Sequence, residues 1–244
     1  MSGTTPSPAT TVATAPRSVL TDLGPVAQLR AGRLARRLPQ LYVGLFLYGV
    51  SLALMVRGAL GLAPWDVLHS GFIRHVPMTL GQAVVLFSFV VLVLWIPLRE
   101  MPGLGTISNA LVVGFSADLT LAVLARPDAI AARIALMIGG VVLCGLASAL
   151  YIGAQLGRGP RDGLMTGLAR RTGWSLRLVR TGLEVAVVVI GLLLGGTLGL
   201  GTVVYALAIG PLTQLMLPWF TVDVMAPVLP SAGSSAQAAE SETR

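Results

Sequence analysis

The chain consists of long apolar stretches separated by short polar connections, a pattern that is typical of membrane-spanning helices. Each stretch is close to the roughly 20 residues that cross a hydrocarbon core of about 30 Å. None alternates as a strand does, and backbone groups inside lipid must form hydrogen bonds within their own segment. We therefore predict six spanning helices, at residues 41–56, 79–98, 104–124, 130–152, 176–194 and 200–219.

Shorter segments surround these six stretches. Residues 65–75 and 161–172 are amphipathic and bounded by Gly and Pro, which predicts two short helices that lie at the surface or re-enter the membrane. Residues 1–38 are predicted to form a disordered, basic N-terminal segment, in which 26–38 make a short interfacial helix or a positively charged collar. Residues 221–244 are predicted to form a second disordered tail.

The chain also matches itself at an offset of 96 positions. Gly, Pro, Asp and Thr coincide in register in two blocks, residues 60–66 with 156–162 and the run Gly-Leu-Gly-Thr at 103–106 with 199–202. The two copies, 39–125 and 126–220, each hold three predicted spans, so the second must enter the membrane from the opposite side. We predict an all-α membrane fold of six transmembrane helices in two inverted three-helix repeats, with two short half-helices.

The repeated signature Leu-Gly-x-(Ala/Gly)-Pro-x-Asp, followed by Gly-Leu-Gly-Thr, resembles the YczE/YitT-like family of bacterial membrane proteins. The resemblance covers about residues 41–217, and its most specific parts are residues 61–66, residues 157–163 and the two Gly-Leu-Gly-Thr runs. The first copy has Ala63 where the second has Gly159. The resemblance implies a helical membrane fold and points to no particular chemistry.

Composition also indicates a membrane protein rather than a soluble domain. Hydrophobic residues make up 55% and charged residues 11% of the chain, and the mean hydropathy is +0.82. All 17 basic residues are arginine, and the net charge is +7. Because these arginines lie beside apolar stretches and aromatic residues are scarce, we expect no nucleic-acid binding.

The distribution of arginine predicts the orientation in the membrane. With both termini in the cytoplasm, eleven arginines lie on the cytoplasmic side and four on the outer side, namely Arg57, Arg74, Arg126 and Arg133. Such an excess is expected of cytoplasmic loops. We predict a multi-pass protein of the bacterial inner membrane with both termini in the cytoplasm and the lipid bilayer as its main partner. A homo-oligomer is compatible with this arrangement.

Two aspartates follow the prolines of the repeated signature. Pro64 and Pro160 suit the first position of a helix, which places Asp66 and Asp162 in its first turn. A carboxylate there offsets the positive helix end, which is a structural role. The alternative is that two half-helices begin near the pseudo-two-fold axis and that these aspartates line a central substrate or ion site. In that case a cation or a proton fits the site better than an anion.

Three further residues are candidates for a binding site. Glu184 lies roughly 12 Å into the fifth predicted span, where an unpaired charge is costly. Arg180 lies one turn earlier on the same face, so the two form either a static ion pair or a site where a carboxylate exchanges protons or binds cationic cargo. Asn109 in the third span is the last candidate, with interhelical hydrogen bonding as its structural alternative. Asp118 and Gln214 are weaker candidates.

Two local features predict structural roles. The runs of Gly-Leu-Gly-Thr predict a tight turn with Thr as the N-cap of the third and sixth spans. The tryptophans fall near predicted span ends and are expected to be anchors at the membrane interface, namely Trp65, Trp95, Trp174 and Trp219.

The sequence contains no catalytic motif. It has no His-Glu-x-x-His, no phosphate-binding glycine loop followed by Lys, and no Ser or Cys nucleophile with an evident base. We therefore expect no enzyme activity, no cofactor and no metal site. The repeat and the buried Glu184 favour a transporter of a small molecule or cation. The alternative is a membrane-embedded regulatory or scaffold protein without transport activity, whose charges only hold helices together.

Overall fold

The computed structural model describes residues 24–224, and within this range the chain is helical and contains no strand. The helices are α1 (Pro25–Arg30), α2 (Leu34–Gly58), α3 (Pro64–Phe72), α4 (Leu80–Leu98), α5 (Leu104–Val123), α6 (Ile130–Gly153), α7 (Pro160–Thr172), α8 (Leu176–Leu193) and α9 (Leu200–Phe220). Five of them, α2, α4, α5, α6 and α9, are long and apolar enough to cross a membrane. The prediction of an all-helical protein with several membrane-spanning segments is therefore confirmed. The remaining long helix, α8, has 18 residues but carries Arg177, Arg180 and Glu184.

The first spanning helix begins earlier than the apolar pattern predicts. α2 starts at Leu34, and residues 25–30 form α1, where the sequence predicted a short interfacial helix or a positively charged collar over 26–38 within a disordered segment. The physical reason is Arg37, which is completely buried and donates to the carbonyl oxygens of Ala154 and Gln155 at 2.8 and 2.6 Å. A residue assigned to a positively charged flank is therefore buried, between α1 and the end of α6. Residues 1–23 and 225–244 of the two predicted tails lie outside the described residues. Val222, in the second predicted tail, is buried and accepts a hydrogen bond from the Gln155 side chain at 2.7 Å.

Contacts between helix ends define two opposite faces of the bundle. On one face, Arg37 near the start of α2 binds the end of α6. On the other face, Arg133 near the start of α6 donates to the carbonyls of Gly58 and Ala59 at the end of α2, at 2.9 and 2.8 Å. We call them the Arg37 face, where α2, α5 and α8 begin, and the Arg133 face, where α4, α6 and α9 begin. In each case a guanidinium satisfies carbonyls that the helix leaves free and offsets its negative end.

Helix starts recur along the chain. The starts of α2, α3, α4 and α5 return in α6, α7, α8 and α9 at the offset of 96 positions found in the sequence. Equivalent bonds recur as well, because Gly105 donates its N–H to the Leu156 carbonyl at 2.7 Å and Gly201 donates to Leu60 at 2.8 Å. We call residues 34–123 the first half and residues 130–220 the second half. Each half therefore contacts the other through equivalent residues.

The segments before α3 and α7 contain a glycine that the backbone requires. Gly61 and Gly157 have φ values of +127° and +132°, a region that favours glycine. A Cβ at Gly61 would lie 2.7 Å from the backbone nitrogen of Thr202, so the close approach excludes other residues as well. The helices then begin at Pro64 and Pro160, as the sequence predicts.

The two short helices point in opposite directions. α3 packs against α8 and α7 packs against α4, so each contacts a long helix of the other half. Just after α3, the His75 ring nitrogen lies 3.1 Å from the carbonyl of Leu194 at the Arg133 face. Near the end of α7, Arg171 donates to the Pro97 carbonyl at the Arg37 face. The C-termini of α3 and α7 thus lie at opposite faces, and their N-termini lie in the interior of the bundle.

The threonines of the Gly-Leu-Gly-Thr runs are not N-caps, so that prediction is wrong. The N-caps of α5 and α9 are Gly103 and Gly199. Thr106 lies at the third helical position, where its hydroxyl accepts from the Gly103 N–H at 3.1 Å and donates to the Arg158 carbonyl at 2.7 Å. A side chain at this position can bond the N-cap residue and a neighbouring segment at the same time. The Thr106 hydroxyl therefore links the start of α5 to the segment before α7.

Candidate functional site

A polar cavity lies in the interior of the bundle, where α3 and α7 begin. Its volume is about 190 Å³, and it adjoins a smaller cavity of about 60 Å³. The two cavities share five lining residues, which are Tyr48, Arg161, Asp162, Arg180 and Tyr205. The larger one is also lined by Asn109 and Gln214, and the smaller one by Trp65 and Glu184.

The N-termini of α3 and α7 meet through a buried cluster. Asp66, in the first turn of α3, is 4% exposed, and its Oδ1 lies 3.0 Å from Nδ1 of His69. Nη2 of Arg161, from α7, lies 3.8 Å from the same oxygen. The guanidinium carbon of Arg161 is 5.2 Å from the centre of the Trp65 ring, a cation–π arrangement. Arg161 thus contacts both acidic and aromatic groups of the opposite half-helix.

Asp162 lies in a different environment. The Tyr151 hydroxyl donates to its Oδ2 at 2.5 Å. Within residues 24–224, no arginine or histidine nitrogen lies within ion-pair distance of this carboxylate. A Cβ built on Gly159 would lie 3.0 Å from Asp162 Oδ2 and 3.6 Å from the Asn109 amide nitrogen, so both groups lie close to Gly159.

The charged pair of α8 lies at the edge of the cavities. Arg180 donates from Nε to Oε1 of Glu184 at 2.9 Å, as their spacing of four residues predicts. The side chains are 46% and 23% exposed, so the pair is open to its surroundings. α8 packs against its neighbours through Val187 and Gly191, which are buried.

The structure brings the five predicted site residues to one region. Asp162, Arg180 and Asn109 line the larger cavity, Glu184 lines the smaller one, and Asp66 contacts the Arg161 side chain that lines both. The groups are carboxylates, guanidiniums, amides and phenols, which suit the binding of a small polar solute. Within the part of the chain that the structure describes, no group of three Asp, Glu, His or Cys side chains could hold a metal ion. A binding role for these residues stays a prediction.

Sequence reasoning missed two central residues of this region. It used Arg161 only to orient the chain and expected Trp65 to be an interface anchor. A signal was present, because Trp65 and Arg161 occupy equivalent positions between the matching Pro and Asp of the repeated signature. Tyr48, Tyr151 and Tyr205 gave no signal, since single tyrosines in apolar helices also occur in ordinary cores.

The predicted interface anchors divide into two groups. Trp174 and Trp219 are exposed, as expected. The prediction is wrong for Trp65 and Trp95, which are buried. The Trp95 indole donates to the carbonyl of Pro160 at 3.0 Å, so this tryptophan supports the start of α7.

Comparisons with known proteins agree with the helical architecture. Residues 35–218 match a family described as a family of unknown function, DUF6198. A protein of Haemophilus influenzae is 39% identical over 177 residues, which cover 72% of this chain and 81% of that protein. A Bacillus subtilis protein described as membrane protein YczE is 31% identical over 179 residues, 72% of this chain and 83% of its own. No solved structure matches.

The relation to YczE confirms the resemblance inferred from the repeated signature. A membrane relative and five apolar helices of spanning length make this chain an integral membrane protein. The family match extends over most of the chain and includes both half-helices and every long helix. This protein therefore belongs to the YczE-like membrane proteins of the DUF6198 family.

Proposed function

We propose that the protein is a transporter of a small polar solute in the bacterial inner membrane, with the central cavity as its solute site. In this proposal the two halves form an inverted repeat of six spans, with α8 as the fifth, and the Arg37 face lies in the cytoplasm. The recurring helix starts and the paired bonds of Gly105 and Gly201 support the repeat. The arginine excess at the Arg37 face supports the orientation.

The observation that carries the proposal is the charged cavity where the two half-helices meet. Arg161, Asp162 and Arg180 line a space of about 190 Å³ inside an apolar bundle, Glu184 lines the adjoining cavity of about 60 Å³, and Asp66 contacts Arg161. Charged groups in such surroundings reduce stability unless they are paired or hydrated. A protein that only needs to hold its helices together gains nothing from an open polar cavity, whereas a solute carrier requires one.

The second candidate function is a membrane-embedded regulatory or scaffold protein. The short contacts of Arg180 with Glu184, at 2.9 Å, and of His69 with Asp66, at 3.0 Å, favour it. Charged residues that only hold helices in position would form such close pairs with each other. The two functions differ in one measurable respect, since only a transporter lets a solute cross a sealed membrane through this cavity.

The test uses the purified full chain in sealed liposomes incubated with a mixture of small carboxylates, amines and zwitterions. Mass spectrometry of the retained contents identifies solutes that enter, and a luminal pH dye reports coupled proton movement. Asp162→Asn and Glu184→Gln alter the cavity. Asp128→Asn, in an exposed loop, is the matched control for loss of a carboxylate elsewhere.

We expect at least one solute to enter above the level of empty liposomes with the unaltered protein and with Asp128→Asn, and Asp162→Asn to reduce its entry at least tenfold. A Glu184→Gln variant that transports the solute without proton movement would assign coupling to that carboxylate. If no solute enters while Glu184→Gln lowers the unfolding temperature, the transporter proposal is wrong and the scaffold function stands.

A further inference from the structure

The cavity contains hydrogen-bond donors that the protein leaves unused. A guanidinium has five N–H donors. Arg161 makes no hydrogen bond to the residues that the structure describes, and its nearest carboxylate oxygen is 3.8 Å away. Arg180 donates from Nε to Glu184, which leaves its two terminal nitrogens. The indole N–H of Trp65, on the wall of the smaller cavity, is buried and has no partner in residues 24–224. These donors fit an anionic group such as a carboxylate, which guanidinium groups bind with two parallel bonds.

The cavity also contains one carboxylate that has no arginine or histidine nitrogen of the described residues within ion-pair distance. Asp66 has Arg161 at 3.8 Å and Glu184 has Arg180 at 2.9 Å, whereas the direct contact of Asp162 is the neutral Tyr151 hydroxyl, and Arg161 and Arg180 act on this carboxylate only from beyond ion-pair distance. Asp162 lines both cavities, so a solute in this space can approach its carboxylate. This carboxylate fits an ammonium group.

We propose that the solute is a small zwitterion of the size of a free amino acid, whose carboxylate binds Arg161 and Arg180 and whose ammonium binds Asp162. This inference rests on the proposed transport function and names its substrate class. The volume of about 190 Å³ equals about six water molecules at roughly 30 Å³ each, which is sufficient for such a solute. The amides of Asn109 and Gln214 on the same wall offer further hydrogen bonds.

Charge balance separates a zwitterion from the two simpler classes. With all groups ionised, three carboxylates face two guanidiniums, so the site carries one net negative charge. A simple anion would raise this charge in surroundings of low polarity, which is unfavourable. A simple cation would neutralise Asp162 but leave the donors of Arg161 unpaired, and unsatisfied buried donors reduce affinity. A zwitterion satisfies both sets of groups without changing the net charge.

The test measures binding separately from transport, by calorimetry with the purified chain in detergent. The probes are L-leucine, 4-methylpentanoate, which lacks its ammonium, and 3-methylbutylamine, which lacks its carboxylate. L-Alanine, propionate and ethylamine form a second set with a smaller side chain. Because a buried charge left unpaired weakens a complex strongly, we expect each incomplete probe to bind on the order of a hundredfold more weakly than its amino acid.

Two variants show whether the preference arises in this cavity. Asp162→Asn is expected to abolish the preference for L-leucine over 4-methylpentanoate. Arg161→Gln is expected to abolish the preference for L-leucine over 3-methylbutylamine. The unfolding temperature of each variant is recorded as a check on folding. Loss of affinity that leaves both preferences intact would indicate a structural role only.

The inference is overturned if the anion or the amine binds as tightly as the amino acid, or if none of the six probes binds. It is also overturned if liposomes accumulate only a solute of another class, an outcome that would leave the transport proposal standing. Binding of the amino acid without its passage across the liposome membrane would contradict transport and leave the zwitterion site standing.

Discussion

The pair α4 and α5 in the first half and the equivalent pair α8 and α9 in the second half are arranged differently. α4 and α5 pack closely, since a Cβ at either Gly81 or Gly114 would overlap the backbone oxygen of the other. The equivalent positions are Arg177 and Gly210, and a Cβ at Gly210 would meet nothing within 4 Å. A large charged residue at the position of a glycine prevents the same close approach, so α8 lies apart from α9.

A polar contact adds to this difference. Asp118 near the end of α5 accepts hydrogen bonds from the Thr79 hydroxyl and from the N–H of Gly81, at 2.8 Å, and so caps the start of α4. Its equivalent in α9 is Gln214, which is exposed and makes no hydrogen bond to the residues that the structure describes. Ser175, equivalent to Thr79, bonds only within its own helix. In the first half, this contact joins the end of α5 to the start of α4 at the Arg133 face. In the second half, no equivalent contact joins the end of α9 to the start of α8 at the Arg37 face within the described residues.

The difference shows that two copies of one repeated sequence can pack their last two long helices in two ways, closely in the first half and apart in the second. The exposed residues that line the larger cavity, Arg180 and Gln214, belong to the second half, whereas its lining residues from the first half are buried or half-buried. This indicates that the cavity opens beside Arg180 and Gln214. In an inverted repeat, exchange of the two arrangements would close this opening and create one at the other face. Under the proposed function, the contrast between Asp118 and Gln214 is what gives the solute access from a single side.

The largest expected effect concerns the two equivalent arginines. Arg37 is fully buried and donates four hydrogen bonds to backbone carbonyls, whereas Arg133 is half-buried and donates two. We expect Arg37→Ala to lower the free energy of unfolding by about 3 to 5 kcal/mol, the usual cost of removing one partner of a buried charged interaction. Arg133→Ala should cost about half as much, because Arg133 makes half as many hydrogen bonds and is less buried. Thermal unfolding in detergent measures both, and equal losses would contradict the assigned contacts.

A smaller effect is expected from two equivalent glycines. Gly114→Ala should lower stability by about 1 to 3 kcal/mol, because the new Cβ forces α4 away from α5. Gly210→Ala is the matched control, since its Cβ enters open space and alanine favours a helix. We expect this variant to be as stable as the unaltered protein or slightly more so. Similar destabilisation by both substitutions, in the same unfolding measurement, would mean that α9 is as closely packed as α5.

The smallest effect is expected at the polar contact. Asp118→Asn keeps the shape of the side chain but removes its charge and one acceptor for Thr79 and Gly81. The cost should be about 1 kcal/mol, typical of a weakened cap. Gln214→Asn should cost less, because the exposed Gln214 side chain supports no neighbouring helix. Hydrogen exchange at the first turn of α4 provides the local readout, and faster exchange in the Gln214 variant than in the Asp118 variant would refute the comparison.

Much of the fold followed from the sequence because it depends on local signals. The apolar stretches and the 96-residue offset predicted the long helices, and Pro64 and Pro160 predicted the starts of the half-helices. Glu184 and Arg180 were predicted to pair because four residues separate neighbours on a helix face.

The remaining features depend on contacts between distant parts of the chain. The apolar pattern gives no indication that Arg37 reaches Ala154, 117 residues away, or that Arg161 lies over Trp65. The separation of α8 from α9 follows from the exchange of Gly81 for Arg177, a difference that matters only once the helices are known to be equivalent neighbours. Comparing the two copies for mismatches, rather than only for matches, would have identified both Arg161 and Arg177.

The most direct test of the one-sided cavity is the labelling of a cysteine at Gln214 with a membrane-impermeant thiol reagent, with the buried Cys144 replaced by serine. Arg99→Cys and Arg126→Cys, both exposed, mark the Arg37 face and the Arg133 face in the same sealed vesicles of known orientation. We predict that Gln214→Cys is labelled from the side that labels Arg99→Cys and is protected from the other. Labelling from the side of Arg126→Cys, or from neither side, would contradict a cavity that opens through the second half.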